Sequence, residues 1–139
     1  MCGHSLGEYS ALVASNSITL DDALKLVYQR GLLMERSLKG SMYAILNTDI
    51  DIINDFCMKV RDDENMVVST ANINSPKQIV FAGENRAVEM VVSDLKKNGH
   101  KKCIKLNVAV ASHCKLMETA SNEFENLINK VQINFPECN

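Results

Sequence analysis

The 139-residue chain has no marked excess of either charge, with 15 Lys and Arg against 17 Asp and Glu, a formal net charge of −2 and a pI near 5.9. That balance offers no electrostatic footprint for nucleic acid or for an anionic membrane. No apolar run approaches the ~20 residues of a bilayer span. Met1 is not followed by the basic-then-apolar order of a signal peptide. Also missing is any C-x-x-C pair. The five cysteines, Cys2, Cys57, Cys103, Cys114 and Cys138, are odd in number and scattered, as expected of free or buried thiols in a reducing cytosol. Internal repeats and low-complexity tracts are lacking too. What is present is a domain-sized length and 46% hydrophobic residues, enough for a real core.

The chain is organised around its first dozen residues. Gly3-His4-Ser5-Leu6-Gly7 fits the G-x-S-x-G nucleophile elbow, in which a strained strand-to-helix turn holds a serine hydroxyl clear of the backbone. Gly3 and Gly7 are expected to omit side chains where strand and helix nearly touch. The helix that follows aims its positive end at charge developing near Ser5, which suits acyl transfer through an oxyanion. Only Met1 and Cys2 precede the turn, so the feeding strand is expected to lie outside this chain, as in a piece of a larger enzyme.

Asn16-Ser17 breaks the first helix, and Thr19 with Asp22 predicts a capped start for a second. Leu20, Ala23, Val27, Met34 and Leu38 recur on one face of that helix. Arg30 falls within the same stripe. A charge aimed at a core costs several kcal/mol unless paired, so Arg30 reads either as a snorkelling or internally paired arginine or as an anion-binding one. Gly40 marks a change of period. Strands are expected at 41–47, 66–74, 78–83 and 103–110, with a hairpin turn at Ser75-Pro76-Lys77. Helices are expected at 50–61 and 85–98, the first burying Ile52, Ile53, Phe56 and Val60, the second Val88, Val91, Val92 and Leu95 and closing on Gly99. The resulting β-α-β-β-α-β order over 41–110 is that of a ferredoxin-like fold. Beyond it, Ser112 can cap a helix carrying Leu116, Ala120, Phe124, Leu127 and Ile128 inward, which puts His113 in a first turn whose dipole favours a neutral imidazole. His4 is expected to pack against the elbow, and His100 to sit among lysines in an exposed loop. Residues 131–139 could begin a further strand.

Four strings, Gly3-His4-Ser5-Leu6-Gly7-Glu8, Tyr28-Gln29-Arg30-Gly31-x-x-Met34, Ala71-Asn72-Ile73-Asn74-Ser75-Pro76-Lys77-Gln78 and Ser112-His113-Cys114-x-Leu116-Met117, occur in order. With them the chain resembles the malonyl-CoA:acyl carrier protein transacylases of fatty-acid synthesis. The resemblance implies a mixed α/β fold, with residues 1–40 and 111–139 as parts of an α/β-hydrolase-like core and residues 41–110 as an inserted ferredoxin-like subdomain. It implies Ser5 as nucleophile, His113 as general base, Arg30 as the holder of the malonyl carboxylate and the Leu6 N–H as an oxyanion donor. Asn72 and Asn74 are given a supporting, substrate-binding role. Ala111 stands where bacterial relatives often carry proline. The family's N-terminal glutamine loop and the C-terminal segment that orients its histidine have no counterpart here.

The implied chemistry is a two-step exchange, malonyl-CoA to a Ser5 ester and then to the phosphopantetheine thiol of acyl carrier protein, in a cytoplasmic monomer. It calls for no cofactor, metal, nucleic acid or membrane. Lys96, Lys97, Lys101, Lys102 and Lys105 offer a docking surface for the acidic carrier or, alternatively, a solvated cluster around a loop. Other readings are an inert remnant or binding module of the family, a serine hydrolase, or a polyketide-type acyltransferase domain. A buried cation argues against simple ester hydrolysis.

Overall fold

The computed structural model describes residues 1–108 and 110–137, so Cys138 and the last two positions of the 131–139 segment lie outside the described residues. The elements are α1 (Gly7–Ala14), α2 (Leu20–Arg36), β1 (Ser41–Leu46), α3 (Ile50–Glu64), β2 (Val68–Ser75), β3 (Gln78–Gly83), α4 (Asn85–Lys97), β4 (Cys103–Lys105), a 3-10 turn at Lys115–Met117 and α5 (Glu118–Ile128). They fall into two compact units, Met1–Arg36 with Ala120–Asn139, and Ser37–Thr119.

In the first unit α1 ends where the sequence stops favouring a helix. Asn16 takes a left-handed φ of 55°, and the Asn16 and Ser17 N–H groups donate back to the Val13 and Leu12 carbonyls at 3.0 and 2.8 Å. This Schellman pattern satisfies carbonyls that the helix would otherwise leave open. The α2 start is the expected capping arrangement, with the Asp22 N–H donating to Thr19 Oγ1 at 3.1 Å and the Thr19 hydroxyl donating to Asp22 at 2.7 Å. The apolar stripe is shorter than its periodicity suggests: Ala23 and Leu26 are buried, while Leu20 is 62% and Leu38 is 68% exposed. Leu20, like Leu24, lies on the side of α2 that lines an open groove against α1, and Leu38 lies past the last helical residue, Arg36. In the 131–137 segment the Asn134 and Glu137 N–H groups donate to the Ser17 and Ser15 carbonyls, yet no strand forms there. Tyr9 and Phe124 meet edge to face, ring centroids 6.3 Å apart.

The second unit is built on a four-stranded antiparallel sheet ordered β2-β3-β1-β4. Strand alternation sorts its side chains onto two faces. Tyr43, Ile45, Val68, Ile79 and Phe81 join Ile53, Cys57 and Val60 of α3 and Ala87, Val88, Val91, Val92 and Leu95 of α4. On the other face Met42, Ala44, Val80 and Ala82 are covered by Ala111 and Leu116. The strands, the hairpin and both helices appear in the predicted order, and all four predicted inward residues of α4 are buried. On α3 the deep positions are Ile53, Cys57 and Val60, with Ile52 and Phe56 at the margin. Burial pushes the Cys57 thiol up from 9.0 to about 12, so it stays protonated and inert.

Gly40, where the period changes, is a point of backbone contact: a Cβ there would lie 2.3 Å from the Gly83 carbonyl oxygen and 2.7 Å from Ala111 Cβ. Gly99 closes α4 with φ 92°, and the His100 and Gly99 N–H groups donate to the Leu95 and Lys96 carbonyls. Two element boundaries also fall elsewhere than expected. The last strand, expected over 103–110, ends at Lys105; the Leu106 N–H still reaches the Met42 carbonyl at 2.9 Å, but β1 begins at Ser41, so in this register the partner strand runs out just beyond. Ala109, within that expectation, lies outside the described residues. The helix expected from Ser112 does not start there either: 112–114 is a turn, and α5 begins at Glu118.

Candidate active site

The elbow turn is held by its own backbone. The Gly7, Glu8 and Tyr9 N–H groups donate to the His4, Ser5 and Leu6 carbonyls at 2.9, 3.2 and 3.2 Å. Gly3 has the role the motif assigns it, since a Cβ would fall 2.0 Å from the Gly7 carbonyl carbon and oxygen. Gly7 does not: a Cβ on it meets nothing within 4 Å. The close approach is one-sided, because Gly3 alone points back across the turn. His4, expected to pack there, is exposed.

Ser5 sits at φ 52°. Among the described residues five non-glycine positions have positive φ: Ser5, Asn16, Asn47, Asn65 and His113. Asparagine and histidine tolerate this region better than most residues, so Ser5 is the member with least intrinsic reason to be there. Strain of this kind costs on the order of 1–3 kcal/mol and persists where surrounding structure enforces it.

Arg30 reaches the turn from the middle of α2, its Nη2 donating to Ser5 Oγ at 2.9 Å. Its side chain is half-buried. The periodicity was a sound guide to the direction of Arg30 but not to its end point, since the guanidinium meets a hydroxyl and not a core. Tyr9, four residues after Ser5, was not expected in this neighbourhood. Burial raises its phenol pKa, while the Arg30 charge pulls it down and Glu8 pushes it up. The signal for Tyr9 is its spacing of four residues from Ser5, about one helical turn. An apolar groove of about 390 Å3 runs between α1 and α2, lined by Leu6, Tyr9, Val13, Leu20, Leu24 and Val27 among others.

Ser5, Leu6 and Arg30 thus share the first unit, and His113, Asn72 and Asn74 belong to the second. His113 is exposed at φ 61°, in the turn that precedes the 3-10 residues Lys115–Met117. His113 therefore lies outside the helical first turn expected for it, because a left-handed residue cannot occupy the first turn of a right-handed helix. The Cys114 thiol donates to the Ala111 carbonyl at 3.2 Å, tying the turn to the second sheet face. Asn72 is half-buried on β2, where the pairing with β3 shifts register between Thr70 and Asn72. Such bulges re-aim side chains. Asn74 is exposed, its Nδ2 3.4 Å from Gln78 Oε1.

Lys96, Lys97, Lys101, Lys102 and Lys105 are all exposed, and Lys97 Nζ lies 3.2 Å from Asp94. His100 departs from its expected place in an exposed loop. It is half-buried, with Nδ1 3.1 Å from the hydroxyl of buried Thr48. Among the described residues no three His, Cys, Asp or Glu side chains are grouped to hold a metal ion, and no helix is long and apolar enough to cross a membrane.

In chemical terms the first unit presents a strained hydroxyl touching a guanidinium, a cation able to hold a carboxylate through two parallel hydrogen bonds. Comparison with known proteins points the same way. The family model described as the acyl transferase domain matches residues 1–139. A malonyl CoA-acyl carrier protein transacylase of Haemophilus influenzae is 43% identical over 139 residues, which is 98% of this chain and 44% of that protein. The crystal structure of the malonyl-CoA:acyl carrier protein transacylase from Xanthomonas oryzae superposes with a TM-score of 0.92 at 36% identity, covering 96% of this chain and 43% of that one. A type II polyketide acyl-carrier protein in complex with its malonyl-transacylase gives 0.90 at 39% identity, covering 96% and 44%. The chain spans less than half the length of these relatives.

Proposed function

Starting from a chain that belongs to the acyl transferase domain family, we propose that it carries the nucleophile and the acyl-selecting part of a malonyl-CoA:acyl carrier protein transacylase. The observation that carries this is the 2.9 Å contact between Arg30 Nη2 and Ser5 Oγ, which puts a carboxylate-binding cation next to a strained nucleophile. In the first step Ser5 Oγ attacks the thioester carbonyl of malonyl-CoA and His113 takes its proton. The Leu6 N–H, at the α1 start, stabilises the oxyanion. Coenzyme A then leaves as the thiol, and a malonyl-serine ester remains. In the second step the phosphopantetheine thiol of acyl carrier protein attacks that ester and Ser5 recovers its proton through His113. The exchange is redox-neutral and needs no cofactor.

The fold reading that goes with this places residues 1–40 and 111–139 in an α/β-hydrolase-like core and residues 41–110 in a ferredoxin-like subdomain. The sheet order β2-β3-β1-β4, with α3 and α4 on one face, supports the second assignment. Asn72 and Asn74 support substrate binding from β2.

Arg30→Ala tests the proposal. With radiolabelled malonyl-CoA and acetyl-CoA, the variant is expected to lose about 100-fold in malonyl labelling of Ser5, the worth of two charge-assisted hydrogen bonds, and to gain acetyl labelling. Equal loss of both would make Arg30 structural and remove its selecting role.

The carrier docks, in this reading, on the lysines flanking β4. β4 is a short edge strand, and Lys105 within it with Lys101 and Lys102 before it also resist strand-on-strand aggregation, a second physical use for that part of the cluster. Replacing Lys96, Lys97, Lys101, Lys102 and Lys105 by glutamate is expected to raise the KM for acyl carrier protein roughly tenfold or more through lost steering and contact, leaving self-acylation by malonyl-CoA unchanged. An unchanged KM removes the docking assignment.

A further inference from the structure

Arg30 is engaged with the serine itself. Its Nη2–H points at Ser5 Oγ from 2.9 Å, the atom that must attack a carbonyl carbon. A cation donating to that oxygen occupies a lone pair and withdraws density from it, which lowers its nucleophilicity. Arg30 is anchored mid-way along α2 and Ser5 is held by the Gly3–Gly7 turn, so the backbones are fixed while the long arginine side chain is free to exchange partners. We infer that Arg30 gates the nucleophile: it caps Ser5 until a carboxylate-bearing acyl group draws the guanidinium away. The inference rests on Ser5 being the nucleophile and adds to the selectivity above. A plain acyl group would bind less well and would also leave the serine capped. A carboxylate supplies the better acceptor, with two oxygens and a full charge, so the exchange of partners is downhill only for a diacid.

The test is the rate at which an uncharged alkyl fluorophosphonate modifies Ser5 in the full chain. In that reaction the Oγ–P bond forms, the P–F bond breaks, fluoride leaves and the hydroxyl proton passes to base. Arg30→Ala is expected to speed labelling roughly tenfold, about 1.4 kcal/mol, although it slows malonyl transfer. In the unmodified chain, formate, too small to fill the acyl space, is expected to raise the labelling rate several-fold over chloride at equal ionic strength. Labelling that is equal or slower in Arg30→Ala, or formate acting no differently from chloride, overturns the gate and leaves the transferase reading intact. Absence of any label on Ser5 in either protein overturns the nucleophile assignment itself.

Discussion

Ser5→Ala is expected to abolish the malonyl-serine ester and to lower malonyl transfer by about 10⁴-fold or more, as removal of a nucleophile does in other covalent mechanisms. Ser5→Gly should be equally inactive, yet the two variants should differ in stability. Both delete the hydroxyl and its bond to Arg30. Only glycine relieves the left-handed φ of 52°, because alanine keeps the Cβ that makes this region costly. Ser5→Gly is therefore expected to be about 1 kcal/mol more stable than Ser5→Ala, a difference of roughly 3–5 °C in melting temperature for a chain of this size. Scanning calorimetry of the pair, alongside a single-turnover assay, separates chemistry from strain. Equal melting temperatures would show that the elbow holds Ser5 without strain, and full activity in either variant would remove Ser5 from the mechanism.

The second large effect concerns the sheet. Phe81 is completely buried in β3, stacked at 6.2 Å between centroids on Tyr43 and enclosed by α3 and α4. Phe81→Ala removes most of a ring from a closed cluster whose neighbours are themselves held by strand pairing and helix packing. The expected loss is about 3–5 kcal/mol, the sum of lost transfer energy and an unfilled cavity. Phe81→Leu keeps much of the volume and should cost less than about 1.5 kcal/mol. Urea titration followed by circular dichroism measures both. A loss near 1 kcal/mol or less for Phe81→Ala would mean that the cluster collapses into the space and that this part of the second unit is loosely packed.

Local physics explains why much of the molecule was legible beforehand. The inward face of α4 follows from Val88, Val91, Val92 and Leu95 at helical spacing, and its end from Gly99, whose φ of 92° few other residues accept. The β2–β3 hairpin follows from a proline-containing turn between two β-rich runs. The start of α2 needs only Thr19 and Asp22 to bond each other. Where reading failed, the deciding contact was distant. Cys103 to Val110 looks like strand throughout, but its partner β1 begins at Ser41, and the pairing ends where that strand does. Ser112 looks like a helix cap, yet His113 adopts a left-handed φ of 61° and α5 starts later. Leu38 fits a stripe that ends with α2 at Arg36, and Leu20 lines an open groove and not a closed core.

The sequence by itself determined the order of elements in the second unit and the family, because periodicity, caps and short motifs act over a few residues of chain. Only the tertiary structure decided that Arg30, 25 positions away from Ser5, ends on its hydroxyl, and that His113 lies in a turn and not a helix. Those outcomes depend on how separate segments crowd against one another, and that information resides in packing, not in any local stretch of residues.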